Sequence, residues 1–239
     1  MKSVLSVLLL VMLAGSAQAG LIATPYVAGT FNGWGSPNSY PMSQTGPGSD
    51  IWTVSIFGLT PGARYEFKIT DGTWALPALD LNSWATADSA GNLTIIYDGN
   101  VYDDGFSPIT DRIGLSTDTG QWTVTGNFLA SLGGSDWDNA SPVGAMNHLG
   151  GGIYDLTVTL LQGRYEWMPV LSGSWDGISP AGRTAGISPW SFDLSDTTSV
   201  SFRVDALSGT ACVIGIPEPA TFCLLAIASA AFLLRRRHG

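Results

Sequence analysis

One turn of this chain places oxygen-bearing side chains at alternating positions. It runs from Asp98 to Gly105 and includes Asn100, Asp103 and Asp104. Carboxylate and amide oxygens are the ligands that calcium takes in proteins. The segment lacks the distal glutamate of the helical calcium loop, and its neighbours have the pattern of strands. A solvated turn between two domains is therefore the alternative interpretation, and we assign no metal site here.

Residue types that perform catalysis are scarce between the two ends of the chain. His148 is the one histidine there, and with Cys212 it cannot complete a zinc site of the nitrogen–sulfur kind. No Gly-x-Ser-x-Gly sequence marks a serine nucleophile. Glu66 and Glu166 each follow an arginine by two residues, which is explained more simply by an ion pair on a solvated sheet face than by glycosidase carboxylates. We predict a protein that is not an enzyme and that holds no cofactor.

The net charge of the chain limits the classes of partner that it can bind. Between Gly20 and Ile216 there are 18 acidic and six basic residues, a net charge of −12. Such a surface repels nucleic acid and anionic headgroups. Cys212 and Cys223 are the only cysteines, and Cys223 lies in an apolar terminal segment, so we expect no disulfide between them. Stability must therefore come from packing of apolar side chains in a core. The chain has nine Trp, nine Phe and seven Tyr that can contribute to it.

The N-terminus has the pattern of an export signal. Lys2 precedes an apolar stretch from Val4 to Ala14, and the small-residue site Ala17-Gln18-Ala19 follows it. This order predicts a signal peptide over residues 1–19 with a signal helix that is removed before Gly20. A second membrane anchor is the alternative, but the apolar stretch is short for that.

The C-terminus combines a Pro217-Glu218-Pro219 triplet, an uncharged stretch from Ala220 to Leu234, and the basic cluster Arg235-Arg236-Arg237. As a helix, 220–234 would span about 22 Å, against a hydrocarbon core of roughly 30 Å. A short transmembrane helix with its arginines in the cytoplasm is therefore predicted, with the rest of the chain outside. A plain C-terminal anchor remains the alternative.

This terminal segment, residues 214–239, resembles the PEP-CTERM sorting tail. The resemblance implies export by a Gram-negative bacterium, an intermediate held in the inner membrane by the C-terminal helix, and transfer to exosortase, a membrane protease. In that family the sorting signal would consist of Pro217, Glu218 and Pro219 with Arg235, Arg236 and Arg237. The final destination implied is the cell surface or the extracellular matrix.

The middle of the chain repeats one pattern twice. Arg64-Tyr65-Glu66 returns as Arg164-Tyr165-Glu166, 100 residues later. Around both copies, apolar and polar residues alternate with a period of two, as in strands with one buried face. Glycine- and proline-rich turns separate the strands. We predict an all-β protein with one module at 20–107, a linker at 108–119 and a second module at 120–210.

The ordered motifs of the first module resemble the early-set sandwich of starch- and glycogen-binding modules. They are Gly29-Thr-Phe-Asn-Gly-Trp34, Tyr65-Glu-Phe-Lys68 and Asp71-Gly-Thr-Trp74. The second module is similar to the accessory modules of bacterial pullulanases through Gly134-Ser-Asp-Trp137 and Gly173-Ser-Trp175-Asp176. Both resemblances imply tandem immunoglobulin-like β-sandwiches.

The same resemblance implies which residues bind sugar. A flat indole can cover the apolar C–H face of a pyranose ring while neighbouring polar groups bind its hydroxyls. The implied platforms are Trp34 with Trp74 and Trp137 with Trp175, and the implied polar partners are Asn32, Lys68, Asn92 and Asp176. The alternative is that these tryptophans pack in the core or at its rim.

Together these observations predict an exported, exosortase-sorted protein with two non-catalytic, polysaccharide-binding modules. The ligand would be an α-glucan or the exopolysaccharide of the cell's own biofilm matrix. A structural or adhesive envelope protein, whose sandwiches have no sugar specificity, is the second hypothesis.

Overall fold

The computed structural model describes residues 22–216, except positions 76, 79, 108, 109, 119 and 187. The signal peptide 1–19 and the transmembrane helix 220–234 lie outside the described residues, so both stay predictions. Within the described part, no helix is long and apolar enough to cross a membrane.

The described chain consists of short strands with three single 3-10 turns at Thr30–Asn32, Leu129–Leu132 and Pro142–Gly144. The first half contains β1 Tyr26–Gly29, β2 Tyr40–Pro41, β3 Ser43–Gln44, β4 Ile51–Ile56, β5 Arg64–Thr70, β6 Ser83–Thr86, β7 Leu93–Asp98 and β8 Arg112–Leu115. The second half contains β9 Trp122–Gly126, β10 Asn147–Gly150, β11 Ile153–Leu160, β12 Gly163–Leu171, β13 Trp190–Leu194, β14 Thr198–Asp205 and β15 Thr210–Ile214. The all-β prediction is confirmed.

The strands form four antiparallel sheets, two in each half. In the first half their orders are β2-β1-β5-β6 and β3-β4-β7-β8, and in the second they are β13-β12-β9 and β10-β11-β14-β15. The two halves share a pairing plan, because β1 pairs with β5 as β9 pairs with β12. That these sheets have the immunoglobulin-like arrangement remains a prediction.

The repeat extends to single residues. Gly29 pairs with Phe67, and Gly126 pairs with Trp167. A Cβ atom at Gly29 would lie 2.3 Å from the Glu66 carbonyl oxygen, and one at Gly126 would lie 2.4 Å from that of Glu166. Both positions therefore require glycine for the same close approach of two strands.

Each pair of sheets encloses its own core. In the first module, Val27 and Phe67 from one sheet meet Ile56, Ile95 and Tyr97 from the other, and all five are buried. In β7 the buried residues alternate with half-buried ones, as period-two alternation predicts. This packing of two half-apolar sheets explains how a chain without a described disulfide builds a stable interior.

A broad interface joins the two modules. Trp84 lies on the outer face of β6 with 1% of its surface exposed, yet it belongs to the core of the second module. Its ring centroid is 6.2 Å from that of Trp122, and its indole nitrogen donates to the Gly177 carbonyl at 2.9 Å. The Arg183 guanidinium lies over the same ring, 4.6 Å from its centroid.

The backbone also crosses this interface. Ser83 of β6 forms an antiparallel bridge with Thr184, so a loop of the second module covers the edge of the first module's sheet. The predicted linker, 108–119, contains β8, which pairs with β7 in the first module. The Leu115 amide at the end of β8 donates to Leu207 of the second module at 2.8 Å. The division into 20–107 and 120–210 remains a prediction, but the described contacts join the two halves closely.

Candidate functional site

Trp34 stands on a tight turn that directly follows β1. Gly33 and Trp34 both have left-handed backbone conformations, with φ values of 64° and 57°. The Trp34 amide donates to the Gly29 carbonyl at 2.9 Å, and the Gly29 amide donates to Asn32 Oδ1 at 3.1 Å. A bulky residue in this backbone region is uncommon and needs surrounding bonds to hold it there.

Trp74 stands on the turn that follows β5. Gly72 has a φ of 87°, and Asp71 Oδ1 accepts hydrogen bonds from the Thr73 amide at 2.9 Å and hydroxyl at 2.6 Å. The Thr70 hydroxyl donates to the Pro37 carbonyl at 2.7 Å. This last bond joins the loop after Trp34 to the end of β5, directly before the turn that carries Trp74.

The two turns bring the indoles of Trp34 and Trp74 into contact at the surface. Their ring centroids are 6.2 Å apart with an interplanar angle of 53°. Trp74 is 46% exposed and Trp34 is half-buried. Two tilted aromatic faces on rigid turns form a bent apolar surface that can cover the C–H faces of adjacent sugar rings. We call this pair the indole platform.

The second module repeats the turns without the ring contact. Trp137 has a φ of 60°, and its amide donates to the Gly126 carbonyl at 3.0 Å, as Trp34 does to Gly29. Trp175 is 50% exposed on the loop after β12. The Gly173 amide donates to the Asn139 carbonyl at 2.9 Å, which joins the two loops. Yet no ring contact between Trp137 and Trp175 is found among the aromatic pairs of the described residues.

Two of the predicted polar partners, Asn32 and Lys68, are close to the platform in sequence. Asn32 Oδ1 holds the Trp34 turn, while its Nδ2 is buried without a hydrogen-bond partner among the described residues. The Lys68 ammonium donates to the Asp80 carbonyl, and burial lowers the pKa of Lys68. Asn32 is therefore a positioning residue of the platform's turn.

Asn92 lies at the other end of the module. Its amide and its Nδ2 donate to the Asp88 carboxylate at 2.8 and 3.4 Å. This loop packs beside the start of β5, where the Ala87 amide donates to the Ala63 carbonyl at 3.0 Å. Trp74 follows the end of β5, so the strand's length of roughly 20 Å separates Asn92 from the platform. The structure does not bring them together.

Asp176 faces the first module. Its carboxylate accepts from Arg64 Nε at 2.6 Å, and Arg64 also donates to Glu66 at 2.8 Å. Hydrogen bonds from Asn82 and then from Arg64 lower the pKa of Glu66. The ion pair expected between Arg64 and Glu66 is thus present, but it is part of a network across the module junction. In the second module, Arg164 pairs instead with Asp193 at 3.4 Å.

The acidic turn at 98–105 is held by protein donors. The Tyr102 hydroxyl donates to Asp98 Oδ2 at 2.6 Å, and Arg112 donates to both oxygens of Asp104 at 2.8 and 2.9 Å. The Arg112 hydrogen bonds lower the pKa of Asp104 to about 2. Within the described ranges, no three metal-ligating side chains come together. Sequence reasoning missed Arg112 because it stands in the segment predicted as a linker.

Comparison with known proteins identifies the terminal segment directly. Residues 215–237 match the family model of the PEP-CTERM protein-sorting motif. The chain therefore carries this sorting motif, as its sequence predicted, and the motif implies export with a membrane-anchored sorting step by exosortase.

The comparisons of the rest of the chain are more distant. A stretch of 56 residues is 43% identical to an amylopullulanase of Thermoanaerobacter thermohydrosulfuricus, which is 23% of this chain and 4% of that enzyme. This local match agrees with the predicted resemblance to pullulanase accessory modules. The chain spans only a small part of that relative.

Two solved structures have the same low similarity score. A pullulanase from Bacillus acidopullulyticus matches 53% of this chain and 20% of its own, at 13% identity and a TM-score of 0.32. SusF from Bacteroides thetaiotaomicron matches 82% of this chain and 48% of its own, at 14% identity and a TM-score of 0.32. Scores this low carry no argument about the site.

Proposed function

We propose that this protein is a non-catalytic polysaccharide-binding protein, exported and sorted by exosortase to the cell surface or the extracellular matrix. The observation that carries the proposal is the contact between Trp34 and Trp74, with Trp74 46% exposed. Burying a large aromatic ring is a main source of stability for a small domain. Two such rings in contact at the surface, on turns fixed by hydrogen bonds, support a role in binding rather than in the core.

The charge of the protein indicates the class of polysaccharide. With a net charge of −12 between Gly20 and Ile216, the exported part repels anionic polymers. A neutral polymer such as an α-glucan avoids this repulsion and needs only C–H faces and hydroxyls to be recognised. An exopolysaccharide of the cell's own matrix fits the proposal when it is neutral.

The second candidate is a structural or adhesive envelope protein. It is favoured by the broad junction between the modules, in which Trp84 and Arg183 are both buried. It is also favoured by the second module, where no ring contact between Trp137 and Trp175 is found among the described residues. In that case the sandwiches act as spacers and the exposed indoles bind no particular sugar.

Affinity electrophoresis in native gels distinguishes the two candidates. We expect gels that contain glycogen, pullulan or the native exopolysaccharide to retard the wild-type protein. Trp74→Ala should weaken binding about two- to twelvefold, since an aromatic contact contributes about 0.5–1.5 kcal/mol beyond its area. Phe57→Ala is the matched control, because Phe57 is an aromatic residue that is 72% exposed and is not part of the platform. Equal mobility of the wild type in gels with and without each polymer favours the spacer.

The sorting part of the proposal has its own measurement. We expect the intact mass of the protein from exosortase-containing cells to correspond to a chain that begins at Gly20 and has lost the segment beyond the Pro217-Glu218-Pro219 triplet. Cells without exosortase should retain a heavier form in the membrane. The same mass in both strains would exclude processing by that protease.

A further inference from the structure

A cavity between the two modules is the feature that the proposed function leaves unused. It has a volume of about 450 Å3 and lies between the outer face of β7 and β8 and the turn that joins β14 to β15. This volume is within the range of roughly 300–1,000 Å3 that is usual for small-molecule sites. It is separate from the indole platform, whose residues do not line it.

The walls of the cavity are fixed by hydrogen bonds from backbone amides. The Leu115 amide of the first module donates to the Leu207 carbonyl of the second at 2.8 Å. Asp205 Oδ1 accepts from the Leu207 and Ser208 amides at 3.0 and 3.1 Å, which sets the turn. A Cβ at Gly114 would lie 2.5 Å from the Leu207 carbonyl oxygen, so only glycine permits this approach. The cavity is therefore built into the junction.

Its surface combines an apolar floor with polar walls. Ile96, Leu115 and Leu207 supply the apolar part. Ile96 faces outward from β7, where period-two alternation would place a polar residue, since Ile95 and Tyr97 face the core. An apolar side chain on the outer face of a sheet, beside an open cavity, can pack against a ligand.

The charges of the wall disfavour an anionic ligand. Arg112 is the only cation among the described lining residues, and both of its terminal nitrogens donate to Asp104. Its guanidinium also lies over the Tyr102 ring, 4.3 Å from the centroid. An anion would meet the carboxylates of Asp98 and Asp205, and Arg112 is already paired with Asp104. A neutral molecule with hydroxyl groups avoids this repulsion and can donate to the carboxylates.

We propose that this junction cavity is a second saccharide site, which takes one or two neutral sugar units. The apolar floor packs against the C–H face of the ring, and Asp98 and Asp205 accept hydrogen bonds from its hydroxyls. Because both modules form the walls, the site exists only when the junction is intact. It is independent of Trp34 and Trp74, so either site can fail without the other.

Calorimetric titration of the full chain tests this site, in a detergent whose headgroup is not a sugar. The protein carries Trp74→Ala and Trp175→Ala, which remove the exposed indoles of both modules. The two probes share one ring: glucose is neutral and glucuronic acid is anionic above its carboxyl pKa. We expect glucose to bind measurably and glucuronic acid to bind more weakly.

Two serines supply matched variants. Ser116 is exposed and lines the cavity, so Ser116→Trp should fill it and weaken glucose binding about tenfold or more. Ser55 is exposed on the same sheet but does not line the cavity, so Ser55→Trp should leave binding unchanged. The proposal is overturned if glucose does not bind, if the two tryptophan variants bind it equally, or if glucuronic acid binds better than glucose. None of these results bears on the indole platform, which the polymer gels test.

Discussion

At the scale of single residues, both halves of the chain hold a tryptophan in a left-handed turn. Trp34 and Trp137 have φ values of 57° and 60°, and each donates its amide to the glycine that ends the preceding strand. Among the described residues, Trp34 has a partner ring at the surface and Trp137 does not. The resemblance to glycogen-binding modules implied platforms of Trp34 with Trp74 and of Trp137 with Trp175. Sequence alone could not show which of the two pairs is in contact, because that depends on how two separate loops approach each other.

The ion pair between Asp104 and Arg112 predicts a dependence of stability on pH. Because Arg112 lowers the pKa of Asp104 from 3.8 to about 2, the folded state favours the ionised carboxylate. The stability it contributes is fully present above the unfolded-state pKa and is lost as the pH falls through the folded-state pKa. We expect urea denaturation of the wild type to show this loss between those two values.

Asp104→Asn should lower stability at neutral pH and make it less sensitive to acid over the same interval. Asp103→Asn is the control, because it removes the same charge from the neighbouring position and leaves the Arg112 pair in place. If both variants have the same acid profile as the wild type, the ion pair does not contribute.

At the scale of elements, alternation identified the strands that face the core. The two Arg-Tyr-Glu motifs and their alternating neighbours lie in the strands β5 and β12. The expected ion pair also placed Arg64 and Glu66 on the outer face of β5. Alternation could not show that the outer face of β6 is covered, because a period of two separates inner from outer faces and does not name what lies against either.

Strand β6 therefore gives a prediction about stability. Trp84 is 1% exposed, and its indole nitrogen is bonded to Gly177 across the junction. Trp84→Ala should lower the free energy of unfolding by about 3–5 kcal/mol, as for other buried aromatic residues. Urea denaturation followed by circular dichroism measures this change.

Trp74→Ala is the matched control for that measurement. Trp74 is 46% exposed and contacts only the Trp34 ring among the described aromatic pairs, so its removal should lower the free energy of unfolding by about 0.5–1.5 kcal/mol at most. A small effect of Trp84→Ala would mean that the junction contributes little to the stability of either module.

At the scale of the whole molecule, the two modules share one interface rather than a free tether. Arg183 is 2% exposed at this interface, and burial lowers its pKa to about 10, so it stays charged at neutral pH. Its guanidinium donates to the Ala206 carbonyl and lies over Trp84. Separating the modules would expose Trp84 and break the Arg64–Asp176 ion pair. Binding by two modules would then take place at fixed relative positions, which restricts avidity to ligands that match them.

This interface predicts a single unfolding transition. We expect differential scanning calorimetry to show one peak, with a calorimetric enthalpy equal to the van't Hoff enthalpy, because unfolding of the first module would remove Trp84 from the core of the second. Trp84→Ala combined with Arg64→Ala should split or broaden that peak. Two resolved transitions in the wild type would mean that the modules unfold independently.

Sequence alone determined the features that depend on residues close together in the chain. The alternating strands, the repeated Arg-Tyr-Glu motif and the terminal sorting motif each depend on residues a few positions apart. Tertiary structure decided which outer faces are covered and which stay open. Asp176 faces Arg64, Trp84 enters the core of the second module, and Ile96 lines a cavity. Alternation places Trp84 and Ile96 on outer strand faces, and Asp176 stands in a turn, so the sequence pattern would leave all three exposed to solvent. The physical reason is that these contacts join residues from different modules. The alternation of residues within one strand does not indicate which surface a second module will cover.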